Sequence, residues 1–279
     1  MTKIRFIGTG EAFDPNRSNA SYLIENEDGT LMVDCGYDSP KSLVRMLNKQ
    51  GRNLSEVPDG LLITHWHGDH CAGIPALLMP MWEEAVGIVG KNKKGLDREF
   101  TIASAHSDLI EKVKERMNDY PTFYERFSRE GPKINYKVVS GNDSLFGYNI
   151  KSALTSHGVA NYAYKFEREG QIFAISGDGA LTDASKELFK GVELLIHEGF
   201  NVMGSGGKNH ASIQEVVDFT IANKIPRVAI VHVNREEREK KREIAELIKR
   251  ANCFGIDVFL PEDHQTVSLS THETIGQYE

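Results

Sequence analysis

A chain of 279 residues with 40% hydrophobic and 26% charged residues has ordinary globular composition and is long enough to bury a substantial core. The formal charge of −7 weighs against loose, charge-driven attachment to nucleic acid or anionic lipid. Cys35, Cys71 and Cys253 are too few for a disulfide framework, and Met1–Phe6 opens no apolar signal core, so a cytoplasmic location is expected. No stretch approaches the roughly 20 apolar residues of a membrane helix, so no membrane partner is expected.

Short β-branched or aromatic runs between turn signals predict strands in the first half at Ile4–Ile7, Ser21–Glu25, Leu31–Val33, Leu61–Thr64, Phe100–Ser104 and Asn135–Val139. The same signals place further strands at Tyr148–Leu154, Tyr162–Glu167, Gln171–Ser176, Leu194–Ile196, Val228–Val233 and Val258–Leu260. Helical patterns fall at about 40–50, 74–86, 107–118, 183–190, 212–223 and 236–253. Ser39 is expected as an N-cap before Pro40 at the first helical position, with Gly51 ending that helix. Ser212, followed three residues later by Glu215, predicts a capping box. The alternating charges from Arg235 to Glu243 read as a solvated helix face, and Gly87–Glu99, with Lys91, Lys93, Lys94 and Arg98, as a basic surface loop. Strands so mixed with helices predict two sheets with helices outside; no linker or repeat divides the chain, so one domain over 1–279 is expected.

The densest chemistry lies in His65-Trp66-His67-Gly68-Asp69-His70, directly after the apolar run Gly60–Ile63. Imidazole nitrogen and carboxylate oxygen are donors that Zn²⁺ and similar divalent ions prefer, so a metal site in the loop leaving a buried strand is expected. Cys71 is read as a small buried thiol in preference to a further ligand. Three more residues end apolar strands: His157 after Tyr148–Leu154, Asp178 after Phe173–Ile175, and His232 after Val228–Val231. Strand ends of this kind can converge on one crevice.

Together these residues resemble the metallo-β-lactamase superfamily, whose His-x-His-x-Asp-His signature is matched at His65, His67, Asp69 and His70 and whose later ligands fall at His157, Asp178 and His232. Phe6-Ile7-Gly8-Thr9-Gly10 and Val33-Asp34-Cys35-Gly36 look like the opening strands of that fold. The resemblance implies an α+β fold, an αββα sandwich of two mixed sheets flanked by helices. It also implies two divalent ions, Zn²⁺ first with Mn²⁺ or Fe²⁺ as substitutes. His65, His67 and His157 would hold one ion, Asp69, His70 and His232 the other, with Asp178 bridging them; Asp69 would commit the site to the second ion. A hydroxide between the ions would be the nucleophile.

Leu194-Leu195-Ile196-His197-Glu198 and Asn209-His210-Ala211-Ser212 resemble paired motifs of the ribonuclease Z-like phosphodiesterase branch, typified by the endonuclease that trims tRNA 3′ ends. That resemblance implies that Glu198 and His210 deliver a proton to the leaving oxygen, with His197 in support; for His210, capping the helix near Ser212 is the plainer alternative. The branch carries a long tRNA-gripping arm where only Arg168-Glu169-Gly170 joins two strands here, and Gly199 and Asn234 depart from its motifs. A small or cyclic phosphodiester, or an unstructured nucleic-acid end, is therefore the favoured substrate, and the branch implies a homodimer. The alternatives are tRNA 3′ processing, thioester or lactone hydrolysis, and a non-catalytic metal-binding scaffold of an RNA-processing complex.

Overall fold

Apolar residues two apart share a face of a strand, and here both faces of most strands are apolar, so each sheet must be covered on two sides. The computed structural model describes residues 1–54, 56–85, 99–118, 133–141, 143–204, 207–269 and 274–275. The first sheet contains β1 (Lys3–Gly8), β2 (Ser21–Asn26), β3 (Gly29–Val33), β4 (Gly60–Leu62), β5 (Glu99–Ser104) and β6 (Lys133–Val138) in that spatial order. The second runs from β7 (Asp143–Leu145) through β8 (Tyr148–Leu154), β9 (Tyr162–Arg168), β10 (Gln171–Ile175), β11 (Leu194–Glu198) and β12 (Arg227–Val231) to β13 (Asp257–Phe259). The chain then returns to the first sheet, where β14 (Thr266–Ser268) pairs with β1 and β15 (Thr274–Ile275) lies outermost. Parallel and antiparallel pairs occur in both sheets.

Outside the first sheet lie α1 (Ser39–Lys49), the short α2 (Gly68–Cys71), α3 (Ile74–Ala85) and α4 (Ser107–Asn118); outside the second lie α5 (Asp183–Phe189), α6 (Ile213–Asn223) and α7 (Lys241–Asn252). Three buried clusters follow from this layering. Leu43, Leu77 and Val113 of the helices meet Leu23, Leu61 and Ile102 of the first sheet. Phe6, Leu62, Phe166, Phe173 and Ile196 fill the space between the sheets, where the Phe166 and Phe173 rings stack at 4.7 Å. Phe189, Val216 and Leu247 cover Leu195, Val228 and Ile230 of the second sheet. The architecture is an αββα sandwich of two mixed sheets. None of the described helices is long and apolar enough to cross a membrane.

The predicted strands and helices occur with shifted ends, and several local expectations need correction. Asp38, not Ser39, is the N-cap of α1, and Pro40 is its second residue, because Ser39 Oγ is drawn inward to accept from Gly36 N and Ser21 Oγ. The Ser212–Glu215 capping box is present. The charge run 235–243 is not one solvated face: Glu237–Glu239 form a 3₁₀ turn, α7 starts at Lys241, and Arg235 pairs with buried Glu11. The short β7, β14, β15 and α2 have too few residues to show a period. The basic loop at 87–99 lies outside the described residues except for Glu99.

A mostly buried ionic group locks β1 to β2. Burial raises the Glu25 pKa, but hydrogen bonds from Arg52 and Arg5 outweigh it and hold the carboxyl below its ordinary value. A depressed folded-state pKa contributes stability above the unfolded value of about 4.3 that is lost as pH falls through the folded value. Glu25→Gln should therefore cost about 1–3 kcal/mol at pH 7, and the deficit should shrink on acidification below pH ~4. Denaturant unfolding of both proteins at the two pH values checks this.

Candidate functional site

Parallel pairing of β3 with β4, and of β10, β11 and β12 with one another, brings the carboxyl ends of these strands to one edge of the sandwich. Asp34 leaves β3, His65 follows β4, Asp178 follows β10, Glu198 ends β11, and His232 follows β12. After His67 the chain turns into α2, which carries Asp69 and His70 inward. A Cβ at Gly68 would lie 1.8 Å from the Tyr37 hydroxyl, so a larger residue at that turn needs the exposed Tyr37 ring to swing aside. His157, beyond β8, arrives from the second sheet.

These residues converge on two groups that share Asp178: His65, His67 and His157 on one side, and Asp69, His70 and His232 on the other. Asp178 Oδ2 lies 3.8 Å from His65 Nε2, 3.8 Å from His157 Nε2 and 3.6 Å from His232 Nε2, while Oδ1 lies 3.3 Å from His70 Nε2. His232 Nε2 and His70 Nε2 sit 3.2 and 3.4 Å from Asp69 Oδ2, and His67 Nδ1 faces His157 Nε2 at 2.9 Å. All seven residues singled out as ligands are thus gathered in one place. Cys71 belongs to neither group: its thiol donates to the His67 carbonyl at 3.1 Å, and burial pushes its pKa up to about 12.

The electrostatics fit divalent cations. Burial alone would neutralise Asp178, yet His232 and His70 hold its pKa well below the ordinary range. Burial opposes charge on His70 too, but Asp178 and Asp34 push its pKa well above the ordinary value. Burial pushes His65 well down, and His67 and His157 down as well. Low-pKa imidazoles offer lone pairs at neutral pH. His65 Nε2, His70 Nε2 and Asp178 Oδ1 are buried and have no hydrogen-bond partner, a costly state that cations among them would relieve.

A surrounding set of hydrogen bonds aims these donors. Asp34 accepts from His70 Nδ1, Thr64 N and Thr64 Oγ1, each at 2.8 Å, which directs His70 Nε2 into the cluster. Asp34 itself sits at φ +58, and His232 at φ +52, left-handed conformations that Asp and His adopt more readily than branched residues. His157 Nδ1 donates to the Asn209 carbonyl at 2.7 Å, which leaves its lone pair on Nε2. Asn161 grips the Asp178 loop by donating to the Ser176 and Asp178 carbonyls and accepting from Asp178 N.

Beside the shared carboxylate, Glu198 Oε2 contacts His210 Nδ1 at 2.8 Å. Glu198 is fully buried; its Oε1 accepts from the backbone N–H groups of Gly179 and Ala211. Burial first and the Asp178 charge second push Glu198 well up, while burial pushes His210 down. Ser212 caps α6, so His210 is not needed as a cap; its ring instead stacks on Phe200 at 4.4 Å. His197 points the other way, into the helix layer against Phe189, and reaches Glu198 only through its backbone carbonyl.

The fold and this edge site define a class. The metallo-β-lactamase fold protein YhfI from Bacillus subtilis superposes with a TM-score of 0.70 at 17% identity, covering 95% of this chain and 98% of that one. The short form of human tRNase Z superposes with a TM-score of 0.69 at 18% identity, covering 96% of this chain and 99% of that one. This chain has the metallo-β-lactamase fold. Within that class it belongs to the family described as anti-Pycsar protein Apyc1, whose family model matches residues 2–254. It is also 24% identical over 309 residues to ribonuclease Z from Metallosphaera sedula, covering 96% of this chain and 99% of that one. Relatives of this kind support a metal-dependent hydrolase.

Asp34, Asn161 and Phe200, which frame the cluster, do not stand out as site residues in the sequence. Asp34 sits just past a strand end, where its acidic type after Val33 was the available signal; the others depend on contacts far apart in the chain. Asp34→Asn keeps a residue tolerant of positive φ but removes the charge that aims His70. It should weaken metal affinity about 10–100-fold, and Asp178→Ala should weaken loading of both groups. Competition with a chelator, followed by metal analysis, measures both.

Proposed function

We propose that this chain is a phosphodiesterase that works with two divalent ions, one held by His65, His67 and His157, the other by Asp69, His70 and His232, with Asp178 between them. The donor set suits Zn²⁺ and tolerates Mn²⁺ or Fe²⁺. Such ions supply electrophilic charge to a phosphoryl oxygen and make water a usable nucleophile near neutral pH. The observation that carries the phosphodiester reading is the Glu198–His210 pair beside the shared carboxylate. A carboxylic acid with a neutral imidazole, and a carboxylate with an imidazolium, contain the same number of protons. The pair therefore stores one proton that His210 can pass to a departing alkoxide, and Glu198 stabilises the charged ring while it does so.

Size supports a small substrate. The cavity over the cluster, lined by Phe13, His67, Asp69, His157, Phe200 and His210 among others, has a volume of about 300 Å³. That lies at the lower end of small-ligand pockets and suits one nucleotide better than a folded RNA. The β9–β10 connection is a tight hairpin in which Glu169 (φ +51) and Gly170 (φ +80) fill a two-residue turn between paired Arg168 and Gln171, so no arm projects there.

Purified, metal-loaded protein should hydrolyse bis(p-nitrophenyl) phosphate and a 3′,5′-cyclic nucleotide, and should act poorly on a tRNA precursor. Turnover of a thioester with no cleavage of any phosphodiester would overturn the reading. His210→Ala should slow cleavage of an alkoxide leaving group by about 10²–10⁴-fold and p-nitrophenolate release much less. Equal slowing of both would remove His210 from proton delivery.

A further inference from the structure

The cavity over the cluster has a rim whose composition the hydrolytic chemistry does not require. Phe13 lines it and is 75% exposed, although it sits in a firmly held loop. Asp263 accepts from Thr9 N, Thr9 Oγ1 and Ser18 N, Gly10 N donates to the Ser18 carbonyl, and Arg17 pairs with Glu262. Glu11, which is 3% exposed, anchors the rim with both oxygens: Oε2 accepts from Phe13 N at 2.8 Å and Oε1 from Arg235 Nη1 at 2.6 Å. The Arg235 guanidinium lies 5.8 Å from the centre of the Phe13 ring. Apart from that contact the phenyl ring stands in water and belongs to none of the core clusters, although its backbone is tied to a buried carboxylate.

We propose that Phe13, held by Glu11 next to Arg235, is the platform on which the base of a nucleotide substrate stacks. This rests on the phosphodiesterase reading and adds the residue that selects the organic part of the substrate. A phenyl face offers no hydrogen-bond donor or acceptor, so it accepts purines and pyrimidines alike and favours the larger ring through contact area. Arg235 extends the platform with a flat cation at its edge, which stacks on bases or faces a phosphate equally well.

The test compares kcat/KM on a 3′,5′-cyclic nucleotide with kcat/KM on a base-free cyclic phosphodiester such as glycerol cyclic phosphate. In Phe13→Ala the ratio of nucleotide to base-free activity should fall about 5- to 150-fold, the equivalent of about 1–3 kcal/mol of stacking, and chiefly through KM. Phe13→Leu, of similar bulk without a π face, should show the same loss, and Phe13→Trp should restore the ratio or raise it. The exposed position predicts an unchanged Tm for all three, so a fall in the ratio reports recognition and not folding. An unmoved ratio in Phe13→Ala, or a Leu variant as selective as the parent, overturns the stacking role while leaving phosphodiester hydrolysis intact. A parent protein that cleaves neither diester overturns the proposed function, and this inference falls with it.

Discussion

A carboxylate with no access to water sets the terms for this molecule. Asp178 is 2% exposed and is faced by the imidazole nitrogens of His65, His70, His157 and His232. Removing such a charge from water is expensive unless positive charge surrounds it, so several elements that approach the edge of the sandwich must each deliver a nitrogen to the right place. The first sheet supplies His65, His67, Asp69 and His70 through one turn and a short helix; the second supplies His157, Asp178 and His232 from three strand ends. Tyr164 ties the two sources together, since its hydroxyl donates to the Ile63 carbonyl and accepts from Ala105 N. The site is thus assembled across the interface between sheets, and the close packing of that interface limits how far its donors can drift.

The parts of the fold with strong periodicity were readable from residue order, because a run such as Tyr148–Leu154 or Leu43 to Leu47 announces its own geometry. The candidate ligands were readable only as a set: a His or Asp that ends an apolar strand is ambiguous alone, whereas His157, Asp178 and His232 gain meaning beside the dense run from His65 to His70. What escaped was everything decided by partners distant in the chain. Ser39 looked like a cap but is pulled toward Ser21 and Gly36, and the charged stretch after Asn234 looked uniform although Arg235 and Arg238 turn toward Glu11 and Asp14. Asp34 was visible as an acid and invisible as the group that orients His70. A linear pattern reports which face a residue occupies and cannot report whom it meets.

The site also divides its labour by exposure. The His and Asp cluster lies at the floor, where burial sharpens every charge interaction. Phe13 and Arg235 lie at the rim, where a side chain can change without disturbing the donors beneath it.

Strand β11 shows how tightly the chemistry is tied to the backbone. Its apolar part, Leu194-Leu195-Ile196, is buried on both faces, so hydrophobicity alone is indifferent to a shift of one residue. Only the last two residues distinguish the alternatives. In the observed register His197 enters the helix layer and Glu198 meets Gly179 N, Ala211 N and His210; a slip of one place would exchange them, sending an imidazole to the site and an acid into the apolar layer around Phe189. His197 and Glu198 therefore serve as the alignment mark for the strand, and the register they fix is what sets Glu198 against His210.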